Sequence, residues 1–278
     1  MEEDTTLRDG KDMLLGKSCK KKDNVKTSNT IKLGTLFEYR ESENQAISDK
    51  KEGSLDFNFF FDGEVTVSQR VFNTFAGGLM QIGPTGGYRF PGRGNAHFES
   101  FNIVEHGFDT ITLQDSKGVI NREALNSFIF CMSHVRETTE CHGMFEGYDD
   151  YWYTHDGNID HVGKILEKLL LKQIQENQKN GSHVIPKEID ASEIEITTLG
   201  GKVIYMDRDL HFTNETIHDL SEVIGRLHNM SFIKPSVPFQ KEKEYRFQFI
   251  ITHNGYMIEP LKKCIILHNC EELLPFVI

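Results

Sequence analysis

Glu242 and Glu244, one residue apart, are the side chains in this chain best suited by type and spacing to carry chemistry. They stand in PFQKEKEYRFQFII, from Pro238 to Ile251. On a strand every second residue faces the same way, so Glu242, Glu244 and Arg246 share one side and Tyr245, Phe247 and Phe249 the other. The two acids then lie about 6.5–7 Å apart along the strand. Like charges held close raise one pKa and divide labour, one group stabilising charge while the other positions or deprotonates a nucleophile. The same spacing also suits a solvated edge strand whose Arg246 pairs with a glutamate on a neighbouring strand, and spacing alone favours that plainer reading.

Other chemical groupings are weaker. Cys131, His134, Cys141 and His142 carry zinc-type donors, but their spacing matches no standard knuckle pair. Cys131 falls in the apolar run Phe128–Met132, where it reads as a small buried hydrophobe. GPTGG (Gly83–Gly87) lacks the Gly-Lys-Ser/Thr ending of a phosphate loop, and PGRGNA (Pro91–Ala96) lacks a full Gly-x-Gly-x-x-Gly, so both read as turns. Lys17, Lys20, Lys21, Lys22, Lys26 and Lys32 make a basic stretch that could touch phosphates, although such runs are more often solvated tails.

The elements that must position these residues read as α+β. Strand patterns cover Thr30–Tyr39, Leu55–Phe61, Glu64–Phe72, Ala96–Val104 and Asp109–Leu113, punctuated by glycines including Gly77-Gly78. Ile159, Val162, Leu166, Leu169, Leu170 and Ile174 recur at helical spacing, with Asn180-Gly181 as the stop. Ile217, Leu220, Val223, Ile224 and Leu227 predict a second helix capped by Thr213 or Asn214. Asn254-Gly255 predicts a tight hairpin after Ile251. Without regular β-α-β alternation, these elements predict mostly antiparallel sheets.

Composition bounds the class. The chain has 278 residues, 38% hydrophobic and 26% charged, which suits an ordinary globular protein. A net charge of -11 opposes non-specific adhesion to nucleic acid or anionic lipid. The N-terminus lacks the basic-then-apolar pattern of a secretory signal, and no apolar run is long enough to span a bilayer. Five cysteines, an odd number, do not read as a disulfide framework. The expectation is a cytoplasmic protein without membrane contact. Residues 1–28 read as a poorly ordered N-terminal segment and 29–278 as one domain.

Three segments together carry a family resemblance: NTIKLGTLFEYRESENQAISDKKEG (Asn29–Gly53); SFIFCMSHV (Ser127–Val135), followed by FEGYDDYWYTHDG (Phe145–Gly157); and PFQKEKEYRFQFII. A strand with an aromatic or basic anchor, a strand ending in Ser and a strand opening with Glu-x-Glu resemble the three-motif layout of ADP-ribosyltransferase-like proteins, in their bacterial toxin and phage-defence branch. The resemblance implies a split antiparallel β-sandwich with flanking helices. It implies NAD as co-substrate and an RNA or protein acceptor, RNA slightly favoured, with an antitoxin or chaperone as a further partner. Glu244 would hold the NAD ribose and stabilise the oxocarbenium-like transition state. Glu242 would orient or deprotonate the acceptor, and Ser133 would support glutamate and ribose. Tyr148, Tyr151 or Tyr153 could stack on nicotinamide or an acceptor base. Lys32, Thr35 and Arg40 are all candidates to face the NAD phosphates, and on strict alternation Arg40 shares a face with Lys32. Two other classes stay open: a metal-independent ribonuclease toxin using His134, His142 and His155, and a non-catalytic subunit of a defence complex.

Overall fold

The computed structural model describes residues 13–41, 49–76 and 79–278. Most of the acidic loop after Arg40, the Gly77-Gly78 pair and residues 1–12 lie outside the described residues. The fold is α+β and mostly sheet. Its strands are β1 (Leu14–Cys19), β2 (Thr30–Thr35), β3 (Ser54–Phe60), β4 (Glu64–Ser68), β5 (Arg93–His106), β6 (Thr110–Glu123), β7 (Phe128–Val135), β8 (Asp150–His155), β9 (Glu195–Lys202), β10 (Ile204–Tyr205), β11 (Asp209–Phe212), β12 (Ile233–Lys234), β13 (Glu244–His253), β14 (Tyr256–Ile258) and β15 (Cys264–His268). The α-helices are α1 (Val25–Ser28), α2 (Leu36–Arg40), α3 (Gln69–Phe75), α4 (Ile159–Lys179), α5 (Leu220–Ile224) and α6 (Ser236–Phe239).

The first sheet is built around β7 and β13, which pair antiparallel from Glu244 opposite Ser133 to Phe249 opposite Phe128. The second edge of β13 is covered by β9. The second edge of β7 is divided between β1, which also pairs with β8, and β2, which also pairs with β15. One face of this sheet is apolar: Leu15, Phe130, Trp152, Phe247 and Phe249 pack against Val162, Leu166, Leu170 and Ile174 of α4. At Gly163 the helix comes so close that an added Cβ would lie 3.2 Å from the Phe247 ring. The second sheet runs β11-β3-β6-β4, with β5 on the far edge of β6. Its core (Phe57, Phe59, Ile111, Ile120, Phe212) also takes in Ile129 of β7 and thereby joins the two sheets.

The Asn254-Gly255 hairpin, α4 and the strands near residues 55–61 and 96–104 form as the sequence predicts. Other expectations are corrected. Residues 13–28 are not a disordered tail: β1 is paired on both edges, because Leu15 and Cys19 enter the core while the Lys17 ammonium lies over the Phe130 ring. The strand expected over Thr30–Tyr39 stops at Thr35, whose side chain accepts the Glu38 amide and starts α2. Likewise Ser68 caps α3 and ends the strand expected to reach Phe72. The second helix is broken into short helical turns from Ile217 to Phe232, with Asn229 non-helical. Asn214 does not cap it but ties its amide to Asp62.

Candidate active site

Three strands bring a row of residues together across the first sheet. Gly16 on β1 lies opposite Ser133 on β7, and Ser133 lies opposite Glu244 on β13. The next row pairs Cys131 with Arg246. This face turns away from α4, and a small recess of about 70 Å³ opens over it. Gly16, Ser133, Cys131, Glu244 and Arg246 form part of its lining, with Phe145 and Tyr148 from the β7–β8 connection. A wider outer recess continues from it and shares Lys17, Ser18, Tyr39 and Tyr148.

The Glu-x-Glu pair is present in this recess, but not as two strand neighbours. Glu242 ends a 3-10 turn, Lys243 adopts a left-handed conformation at φ 45°, and the strand begins at Glu244. The edge-strand reading is overturned, since β13 is paired on both edges and Glu242, Glu244 and Arg246 are all buried. Arg246 Nε donates to Glu244 Oε1 at 2.7 Å and its Nη1 to Glu52 Oε1 at 2.8 Å, so its second carboxylate comes from the loop before β3. Lys234 Nζ lies 2.7 Å from Glu244 Oε2 and 3.0 Å from Glu242 Oε2. The chain of charges continues through Glu52 to Arg208, which binds Asp49 at 2.7 Å. Buried charges persist only when paired and hydrogen-bonded, and here cations and carboxylates alternate.

This environment separates the two acids. Burial pushes the Glu242 carboxyl up to about 7; Lys234 opposes the shift and Glu244 adds to it. Burial also raises the Glu244 carboxyl, but Arg246 and Lys234 outweigh burial and hold it well below the usual range. Near neutrality Glu242 can take or give a proton while Glu244 stays an anion, the division expected of an acid–base pair. Each Glu244 oxygen has a cation and keeps lone-pair capacity for a ligand hydroxyl.

Of the other expected site residues, Ser133 and Tyr148 line the inner recess, and the Ser133 hydroxyl donates to Met144 Sδ at 3.1 Å. Lys32 lines only the outer recess and is paired with Glu38 at 2.6 Å. Thr35 is fully buried as the cap of α2 and lines neither recess. Arg40, displaced from the strand face by α2, binds Glu123 at 2.8 Å and the Glu52 carbonyl at 2.6 Å. Tyr151 packs on His142, and Tyr153 donates to the Thr138 carbonyl; neither lines either recess. His134, His142 and His155 are likewise outside the recesses. On β7, Cys131 and His134 face opposite sides of the sheet, and among the described residues no group of three His, Cys, Asp or Glu side chains could hold a metal ion.

Lys17, Ser18, Tyr39, Met132 and Lys234 also line it and were not among the expected site residues. Lys17 was visible only as one member of the basic stretch, which did not mark it apart from the lysines after it. Nothing near Lys234 in sequence marks it. Among the described residues no helix is long and apolar enough to cross a membrane. Comparisons with protein-family models, curated proteins and solved structures match this chain to none of them.

Proposed function

We propose that this chain is an NAD-dependent ADP-ribosyltransferase acting on a macromolecular acceptor, with RNA favoured over protein. The observation that carries the reading is the position of Glu244 opposite Ser133 on the recess floor, with Glu242 on the adjoining turn and the two carboxyls titrating far apart.

The residues present suit NAD. The inner recess offers two carboxylates and a serine for ribose hydroxyls and the rings of Phe145 and Tyr148 for nicotinamide, and it runs into an outer recess where Lys17, Lys20, Lys22 and Lys32 outnumber Asp23 and Glu38. NAD supplies a ribosyl–nicotinamide bond whose cleavage frees ADP-ribose for transfer. Glu244 supplies fixed negative charge where positive charge develops on the ribose, held in place by Arg246 rather than by solvent. Glu242, poised near neutrality, receives the proton of the attacking acceptor group. The lysines of the outer recess favour an anionic acceptor, while the net charge of -11 limits adhesion elsewhere.

The test is incubation with NAD labelled on its ADP-ribose portion and separate pools of RNA, DNA and protein. Label in the RNA pool, lost in Glu242→Gln, is the expected result. No labelled pool and no consumption of NAD would overturn the reading.

A further inference from the structure

GPTGG and PGRGNA, the two glycine motifs that the recess does not use, flank Tyr88, Arg89 and Phe90 in the loop between α3 and β5. No aspartate or glutamate stands between Glu64 and Glu99, in a chain that carries 42 of them. The loop is fastened from below, with Leu79, Met80, Ile82 and Phe90 packed against the second core. Buried polar side chains of α3 take up its backbone as well. Asn73 Oδ1 accepts the Ile82 amide at 2.9 Å, and its Nδ2 donates to the Ile82 and Thr85 carbonyls at 2.8 and 2.7 Å. Gln69 Oε1 accepts the Thr85 amide at 3.4 Å, and Thr74 Oγ1 the Tyr88 amide at 2.9 Å. At Gly87 the loop lies so near α3 that an added Cβ would stand 2.3 Å from the Thr74 nitrogen.

A loop held this way presents its outward side chains in fixed positions. Tyr88 is 57% exposed, with the Arg70 guanidinium 5.3 Å from its ring centre, and Arg89 beside it is exposed too. The ion pairs that arginines form among the described residues involve Arg40, Arg93, Arg208, Arg226 and Arg246, but neither Arg70 nor Arg89. Arg93 is neutralised by Glu123 and Glu259 and adds no free charge. Asp109 reaches this end of α3 through its carbonyl, which accepts the Gln69 amide, and its carboxylate pairs with neither arginine. A ring backed by one guanidinium and flanked by another suits a strand with unpaired bases to stack and phosphates to pair. An acidic peptide would meet the arginines but leave the ring without a planar partner. Ile129 of β7, which joins the core beneath the loop, shares a face with Ser133, so the loop lies on the recess side of the first sheet.

We propose that Tyr88, Arg70 and Arg89 form a docking platform for single-stranded RNA, apart from the recess. That the docked strand supplies the acceptor group rests on the transferase reading; its binding does not.

The probe is a fluorescein-labelled single-stranded RNA of about ten nucleotides and mixed sequence, titrated with the full chain and read by anisotropy. The wild-type protein binds it, and Tyr88→Ala weakens binding about tenfold to a hundredfold, whereas Tyr88→Phe keeps it within about threefold, as stacking requires. Arg70→Ala and Arg89→Ala each flatten the dependence of log affinity on log salt by about 0.7, one phosphate contact apiece. The same RNA annealed to its complement binds at least about tenfold more weakly, because its bases already stack on one another. A DNA strand of the same sequence binds within about threefold, and the labelled pools described above tell which strand is modified. Should Tyr88→Ala fail to fold, photo-cross-linking of the wild-type protein to thiouridine-bearing RNA replaces it, with the cross-link expected at Tyr88 or its loop neighbours. Absence of binding, indifference to Tyr88→Ala, equal affinity for the duplex or cross-links confined to the outer recess overturns the platform. RNA binding without any product from labelled NAD keeps the platform and removes the transferase reading; labelled RNA whose yield is unchanged in Tyr88→Ala does the reverse.

Discussion

Ser133 and Glu244 face each other across the β7–β13 ladder and open into the same recess, although 111 positions separate their numbers in the chain. Ser133 gives its hydroxyl proton to the Met144 thioether, a weak acceptor, so little stability depends on that bond. Ser133→Ala is expected to cost under about 1 kcal/mol in urea unfolding while lowering transferase kcat about a hundredfold. Full activity in a well-folded Ser133→Ala protein would remove this serine from the site.

Glu242 predicts a pH signature. Its pKa rises from 4.5 unfolded to about 7 folded, so between those values the native state holds the extra proton. Stability from this group is present at low pH and falls as pH rises through that window, by about 3 kcal/mol at most. Glu244 acts in the opposite sense, since its depressed pKa contributes stability above the unfolded value that is lost in acid. Melting temperatures of wild type and Glu242→Gln should coincide near pH 4 and diverge by pH 8, with the variant the more stable. Parallel melting curves across that range contradict the assignment.

Arg246 joins Glu244 to Glu52 in the interior, and its removal leaves two carboxylates short of a cation. Arg246→Met should destabilise the fold by about 3–5 kcal/mol, and Arg246→Lys should recover only part of that because an ammonium lacks the guanidinium fork. Denaturant midpoints measure both. A cost within 0.5 kcal/mol, taken as roughly the level of a surface change, would show the pairs to be energetically idle.

Gly16 holds the recess floor at close quarters, with Cys141 Sγ only 2.5 Å from where an alanine Cβ would stand. Gly16→Ala should cost about 1–3 kcal/mol from overpacking. Combining it with Cys141→Ala should recover part of the loss, and strict additivity of the two effects would locate the strain elsewhere.

The sequence made some of this legible and hid the rest for identifiable reasons. β13 and its hairpin were readable because Tyr245, Phe247 and Phe249 alternate and Asn254-Gly255 fixes the turn. The Glu-x-Glu and Ser133 stood out by type. β1 was obscured because Lys17 and its neighbours look solvated, while the Lys17 ammonium in fact lies over the Phe130 ring. Arg40 was misplaced because the hydrophobic alternation from Ile31 to Tyr39 conceals the capping role of Thr35, which turns the chain into α2. Glu52 lies 194 residues from Arg246, and no local pattern links positions so far apart.

The chain of buried charges also governs how the two sheets assemble. Side chains on β13 alternate faces, so a slip of one residue would drive Glu244 and Arg246 into the apolar layer against α4 and present Phe247 to Glu52 and Arg208. Each misplaced ion would be stranded in a medium that tolerates none. The same salt bridges that shape the recess thus act as a lock-and-ward for assembly, admitting one alignment of the layers and penalising those beside it.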